Sequence, residues 1–291
     1  MQVNPKTNNI KKHTQNWVCF LFIYKAIINM KVAIIAIAKN ENLYINEWLD
    51  YHFKLGFDNI IVCDNDDELI LKEVINDNRV IIEDYTKMKN VQHTAYRQMY
   101  KKYKDQYDWF LFIDIDEFLV MENHTNVKDF ISSFSDDVEC IKLCYKHFTD
   151  NEELDVIDGN YNVFDRFKTE VKLRCDSLVK QFIKNTIDDD SMKHFYQHYL
   201  CANVVTVDAL NRKVLASNKT LDKVVQENAW INHYKTKTIG EYIRQKYFRG
   251  GPNNNDITYK NLRYFWDSQK KTDEKLAYAE KIIAEYEGKC N

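Results

Sequence analysis

An α/β fold with a mostly parallel, doubly wound sheet is what this sequence predicts, on three observations. Over residues 31–120, apolar runs of strand length alternate with stretches of helical spacing, the pattern of βα units that close on a parallel sheet. The runs are continuous, as in strands buried on both faces. The most informative run, Phe110 to Ile113, leads straight into Asp114, Ile115, Asp116 and Glu117. Acidic groups at a strand's carboxyl end lie where open α/β sheets bind ligands.

Val32 to Ile37 suits a buried first strand, broken by Lys39-Asn-Glu-Asn42. Leu43 to Leu55 has helical spacing: Leu43, Trp48, Leu49, His52 and Phe53 share a side, and Gly56 is the stop. Ile60 to Cys63 is a second strand ending in Asp64-Asn65-Asp66-Asp67, and Glu68 to Ile75 reads as a helix. Val80 to Ile82 is a third strand, Gln92 to Tyr103 a helix, and Trp109 to Ile113 the fourth strand.

After Met121 the alternation changes. Val127 to Phe134 reads as a helix. Cys140 to Cys144, Val179 to Ile183 and Val204 to Val207 read as strands. Ile239 to Phe248 is a helix stopped by Gly250-Gly251-Pro252, and Leu262 to Tyr286 is a long final helical region. With no internal repeat and no Pro- or Gly-rich linker, residues 30–291 read as one domain with an elaborated C-terminal half and terminal helices.

Composition narrows the function classes. The 291 residues carry a net charge of −3, so no basic excess points to nucleic acid. Only 2 Pro and 6 Gly argue against a low-complexity tract. The 19 Tyr and 16 Phe suit a sheet-rich core and also carbohydrate grooves. The seven cysteines form no paired zinc spacing and read as reduced, mostly buried thiols of a cytoplasmic protein. Residues 1–29 look like an extension before a natural start at Met30. Lys11 and Lys12 precede an apolar run, Trp17 to Tyr24, that is too short to span a bilayer and has no cleavage site behind it. A peripheral anchor at the inner membrane face is the alternative reading of that run.

Asp114 and Asp116 are two apart, so on an extended strand they point the same way. Two hard oxygens on one side can hold a divalent cation that also binds phosphate. A solvated acidic turn is the plain alternative.

Four blocks then resemble the GT-A fold glycosyltransferases, and more narrowly the glycosyltransferase family 2-like and family 92 group. The first runs Ala38-Lys-Asn-Glu41, Glu47-Trp48, His52 and Leu55-Gly56; the second is Asp64-Asn-Asp66. The third joins Gln92, His93, Ala95, Tyr96 and Arg97 to Asp108-Trp109 and Phe112 to Phe118. The fourth is Asn232-His-Tyr-x-Thr-Lys237, with Glu241 and Arg249-Gly250.

The resemblance implies a metal-dependent hexosyltransferase. It would move a sugar from a nucleotide-diphosphate donor to a glycan or lipid-linked acceptor, with inversion, residues 30–120 binding the donor and 121–291 the acceptor. It implies Mn²⁺ or Mg²⁺ at Asp114, Asp116 and His233, since a cation on the leaving diphosphate lowers the barrier. It places the donor at Ala38, Lys39, Asn40, Glu41, Asp64, Arg97 and Asp114.

Asp64 has a second reading as a helix cap. Gln92 and Arg97 stand about 140° apart around one helix, so both cannot face one ligand atom; Arg97 is the donor candidate of the two. Lys235, Lys237, Arg244 and Arg249 are candidate diphosphate cations. The general base is open among Glu117, Asp165 and Glu170, and His198 reads as a core or strand-edge histidine.

Two other classes compete. A nucleotidyltransferase would want a Gly-rich phosphate loop, and residues 37–42 contain no glycine. A non-catalytic carbohydrate-binding protein would not need Asp114, Asp116 and His233 together.

Overall fold

The computed structural model describes residues 29–248 and 261–288. The apolar run Trp17 to Tyr24, Arg249 and the Gly250-Gly251-Pro252 stop lie outside them. The described chain opens with β1 (Val32–Ala38), α1 (Ile45–Lys54), β2 (Asn59–Asp64), α2 (Leu71–Val74), β3 (Val80–Asp84), α3 (Gln92–Tyr103) and β4 (Trp109–Phe112). β1 pairs in parallel with β2 and β4, and β2 with β3, so the order is β3-β2-β1-β4.

The sheet is doubly wound because alternate side chains of each strand meet different helices. Val32, Ile34 and Ala36 pack with Trp48, Leu49 and Phe53 of α1. Ala33 and Ile35 pack on the other face with Ala95, Tyr96 and Met99 of α3. Both faces are therefore covered, which is why these strands are continuously apolar. Phe110, Leu111 and Phe112 are fully buried, each contributing about 1.5–3 kcal/mol relative to exposure.

Beyond β4 come β5 (Glu117–Met121), α4 (Val127–Ser132), β6 (Cys140–Phe148), α5 (Val163–Arg166), β7 (Glu170–Val171), a 3₁₀ turn (Arg174–Ser177) and β8 (Val179–Lys184). Then follow α6 (Asp189–Met192), β9 (Phe195–Tyr196), β10 (Tyr199–Leu200), β11 (Thr206–Asp208) and β12 (Ala229–His233). The chain closes on α7 (Ile239–Tyr242), a π-helical turn (Ile243–Tyr247), α8 (Leu262–Trp266) and α9 (Asp273–Glu287). The sheet continues from β4 through β8, β6 and β12 to β5, with antiparallel pairing at β4–β8, β8–β6 and β12–β5.

Several expectations are corrected here. Asp114 and Asp116 do not lie on an extended strand: β4 ends at Phe112, and the Glu117 N–H closes a turn on the Asp114 carbonyl at 3.1 Å. The chain then re-enters the sheet as β5, which periodicity did not reveal. Side chains of α1 hold it there. Trp48 Nε1 donates to the Glu117 carbonyl at 2.7 Å, Tyr51 Oη to the Leu119 carbonyl at 2.8 Å, and His52 Nε2 accepts from Leu119 N–H at 3.3 Å. His233 stands on β12, a strand missed in the sequence. Glu68 to Ile75 shrinks to the four residues of α2. The region Leu262 to Tyr286 splits in two, because Thr272 starts α9 by accepting from Lys275 N–H at 3.2 Å.

Gly56 does stop α1. Its φ is +92°, and a Cβ there would lie 2.4 Å from Asn126 Nδ2. Asn126 in turn caps α4, accepting from Lys128 N–H at 2.8 Å. Among the described residues no helix is long and apolar enough to cross a membrane.

Candidate active site

The loops after β1, β2, β3 and β4 all open on one cleft of about 550 Å³ at the carboxyl edge of the parallel strands. It lies where the strand order reverses between β1 and β4, the place at which such sheets bind ligands.

At its floor, Asp116 and Glu117 face His233. Asp116 Oδ1 lies 3.7 Å and Glu117 Oε1 3.9 Å from His233 Nε2. The three offer ligand atoms within 4.8 Å of one another. β12 sets this distance by pairing antiparallel with β5, bringing His233 opposite Glu117. Burial depresses the His233 pKa far below its usual value, although Asp116 opposes it, so the ring is neutral. A neutral imidazole with a free lone pair is a metal ligand. Two carboxylate oxygens and an imidazole nitrogen suit Mn²⁺, and the spacings fall between the about 3 Å and about 4.3 Å expected for neighbouring and opposite ligands. The residues present fit the cation.

Asp114 is engaged differently. Its Oδ1 accepts from Gln92 Nε2 at 2.8 Å and Tyr96 Oη at 3.0 Å, and its Oδ2 from Lys180 Nζ at 2.8 Å. It lines the cleft, yet Glu117 takes the place in the cluster that the resemblance gave to Asp114. The carboxylates two apart turn to different partners because they sit in a turn.

Two lysines that sequence reasoning missed balance these acids. Lys180, fully buried on β8, also reaches Glu117 Oε2 at 3.2 Å. Lys246 holds Asp116 Oδ2 and donates to the Lys235 carbonyl at 2.6 Å. It comes inward from the π-helical turn, whose wider winding also turns Gln245 onto Glu41 at 2.5 Å and the Asn40 carbonyl at 3.1 Å. Such turns recur at functional sites. The alternation of Val179 to Ile183 was legible, but nothing local said that its lysine would face carboxylates 66 residues away.

Electrostatics separates the acids. Burial raises the Asp116 pKa, but Lys246, His233 and Lys237 outweigh it and hold the carboxyl well below its usual range. Burial, with Asp114 and Asp116 close by and Lys180 opposing, lifts Glu117 to about 8. Tyr145 Oη donates to Glu117 Oε1 at 2.8 Å.

Of the expected donor residues, Lys39 and Glu41 line the cleft. Ala38 is buried at the end of β1, and its carbonyl accepts from Asn65 N–H at 2.9 Å. Asn40 takes a left-handed φ of 57° and donates its N–H to Asp66 at 2.7 Å. Asp64 does not line the cleft. It is buried, accepting from Asp66 N–H at 3.1 Å and from Leu71 N–H at the start of α2 at 3.2 Å, which is its helix-cap reading. Arg97 is turned away: Nε and Nη2 hold the Phe195 carbonyl at 3.0 and 2.8 Å. The 140° argument holds, and the residue facing the cleft is Gln92.

The base candidates divide as clearly. Glu117 is in the cleft. Asp165 is exposed and pairs with Lys168 at 3.5 Å. Glu170 pairs with Lys146 at 3.0 Å and Lys172 at 3.4 Å on the surface, and neither lines the cleft. Of the expected cations, Lys235 is in the cleft wall. Lys237 is buried on Gln245 at 3.0 Å, and Arg244 pairs with Asp155. His198 also faces the cleft, its Nδ1 bonded to the Val179 carbonyl at 2.9 Å.

Comparisons with solved structures find partial likenesses. S. aureus TarS 1-349 is 12–16%-range kin at 16% identity, with 81% of this chain and 72% of that chain covered and a TM-score of 0.39. Glucosyl-3-phosphoglycerate synthase from Mycobacterium tuberculosis, solved with Mn²⁺, uridine diphosphate and phosphoglyceric acid, is 15% identical over 42% of this chain and 46% of that one, at a TM-score of 0.30. The 4-diphosphocytidyl-2C-methyl-D-erythritol synthase from Anaerococcus prevotii DSM 20548 is 12% identical over 69% and 94%, at a TM-score of 0.34. No curated protein matches the sequence. The glycosyltransferase family 92 model matches residues 32–276, from the first strand of the sheet into the last helix. The chain belongs to glycosyltransferase family 92 and is a glycosyltransferase.

Proposed function

We propose that residues 30–291 form one catalytic unit, a metal-dependent hexosyltransferase. It takes its sugar from a nucleotide diphosphate and gives it, with inversion, to a hydroxyl of a glycan or lipid-linked acceptor. The observation that carries this reading is the meeting of Asp116, Glu117 and His233 on the floor of a cleft at the carboxyl edge of the sheet.

Asp116, Glu117 and His233 would hold Mn²⁺ or Mg²⁺, which when bound neutralises charge on a departing diphosphate. The chain's own residues do the rest. Lys39 and Glu41 after β1 and Gln92 at the start of α3 border the donor side of the cleft. Lys180 keeps Asp114 and Glu117 from repelling one another and so fixes the floor before substrate arrives. Lys235 and Lys246 bring positive charge to the same wall. Of the three candidate bases, Glu117 alone is placed to take a proton from an acceptor within the cleft.

Titrating the protein with Mn²⁺ and nucleotide diphosphates by calorimetry tests the reading. The expected result is nucleotide binding strengthened at least tenfold by Mn²⁺ and lost in His233→Ala. Binding that ignores Mn²⁺ would overturn the metal role.

A further inference from the structure

The cleft wall carries a group the sugar-transfer reading does not use. Cys175, on the 3₁₀ turn Arg174–Ser177, lines the cleft with its Sγ 3.7 Å from His147 Nε2. His147 Nδ1 lies 2.6 Å from Asp176 Oδ1, so its N–H points at the carboxylate and Nε2 is left as acceptor for the thiol. Asp176 is itself fixed, its Oδ2 accepting from Leu173 N–H at 3.1 Å. Thiol, imidazole and carboxylate thus stand in the order that activates a nucleophilic sulfur.

We propose that Cys175 is an activated thiol and a site of reversible S-thiolation by small-molecule disulfides. The Cys175 proton passes to His147 Nε2 as the sulfur attacks one sulfur of the disulfide. The disulfide's S–S bond breaks, a mixed disulfide forms on Cys175, and the departing thiolate takes the proton from His147. The adduct would project into the cleft, and a reducing thiol reverses the exchange.

Two further observations agree. Burial pushes the Cys175 thiol up, but His147 and Lys235 outweigh it and the net direction is down. Cys63, Cys140 and Cys144 are buried and pushed up by that burial. Cys201 is exposed, more open to solvent than Cys175, so accessibility alone would have reagents reach Cys201 first.

The test is competitive labelling of the whole protein with limiting iodoacetamide, followed by peptide mass mapping. Cys175 should label at least tenfold faster than Cys201, and His147→Ala should cut its rate at least tenfold. Asp176→Asn, the gentler change, should slow it several-fold and serves if His147→Ala fails to fold. Oxidised glutathione should add one glutathionyl mass at Cys175, removable by dithiothreitol. Labelling of Cys201 ahead of Cys175, or a glutathionyl mass elsewhere only, overturns the proposal. None of these readouts depends on sugar transfer.

Discussion

Lys246 Nζ rests on the Asp116 carboxylate in a buried contact. One carboxylate therefore serves two roles: one oxygen neutralises a lysine while the other faces His233. Asp116→Ala would remove both at once and leave a buried ammonium without its acid, at a cost of about 3–5 kcal/mol. A loss of activity in that variant would be confounded by unfolding. Asp116→Asn keeps the shape and a hydrogen-bond acceptor. We expect it to weaken Mn²⁺ binding at least tenfold by calorimetry while denaturation shows most of the fold's stability retained. Undiminished Mn²⁺ affinity would remove Asp116 from the metal site.

Lys180 is the second internal cation, and its loss should be felt in stability first. Lys180→Met replaces it with an apolar chain of similar length and strands Asp114 and Glu117 near each other. A drop of about 3–5 kcal/mol in urea denaturation is expected. Adding Asp114→Asn should return part of it, because the two changes share one network. Strict additivity of the two would show that the network is not coupled.

Gln92 and Arg97 on α3 should separate cleanly. Gln92→Ala removes a cleft-lining amide and a partner of Asp114, so the KM for donor should rise several-fold. Arg97→Ala releases the Phe195 carbonyl and should cost about 1–3 kcal/mol of stability with little change in donor KM. The reverse pattern in steady-state kinetics would restore Arg97 to the donor site.

Asp64 tests the boundary between binding and support. Asp64→Ala leaves the N–H groups of Asp66 and Leu71 without an acceptor inside the fold. About 1–3 kcal/mol should be lost from thermal melts. A selective fall in nucleotide affinity at unchanged melting temperature would reinstate the donor role.

What could be read from the sequence follows from what is local. The parallel half was legible because Val32 to Ile37 and Phe110 to Phe112 are buried on both faces, and burial on both faces leaves an unbroken apolar run. Asp116 and His233 were found because acidic residues after a strand and a histidine in a recognisable block carry their own signal. β5 was not legible: Glu117 to Met121 is a strand because Trp48, Tyr51 and His52 bond its backbone from a helix far back in the chain. Lys180 and Lys246 were invisible for the same reason. A lysine in a strand or helix reads as surface until the fold shows which carboxylate it meets. Arg97 misled because a guanidinium beside a family-like block is as well satisfied by a carbonyl, here that of Phe195, as by a phosphate.

His52 gives a prediction in pH. It is fully buried between α1 and β5, its Nδ1–H donating to the Trp48 carbonyl at 2.8 Å, and burial pulls its pKa to about 3. Burial also pulls His198 down to about 4. Both are neutral in the fold over a range where an unfolded histidine, with a pKa near 6.5, takes up a proton. The unfolded chain binds more protons there, so stability rises with pH and is lost as pH falls below about 6.5. Each histidine contributes up to about 1.4 kcal/mol per pH unit across its window. Urea denaturation between pH 4.5 and 7, a range chosen inside both windows, should show this slope, and His52→Asn should flatten it by roughly half while lowering stability at pH 7. A slope unchanged by the substitution would mean that His52 is not the group taking up the proton.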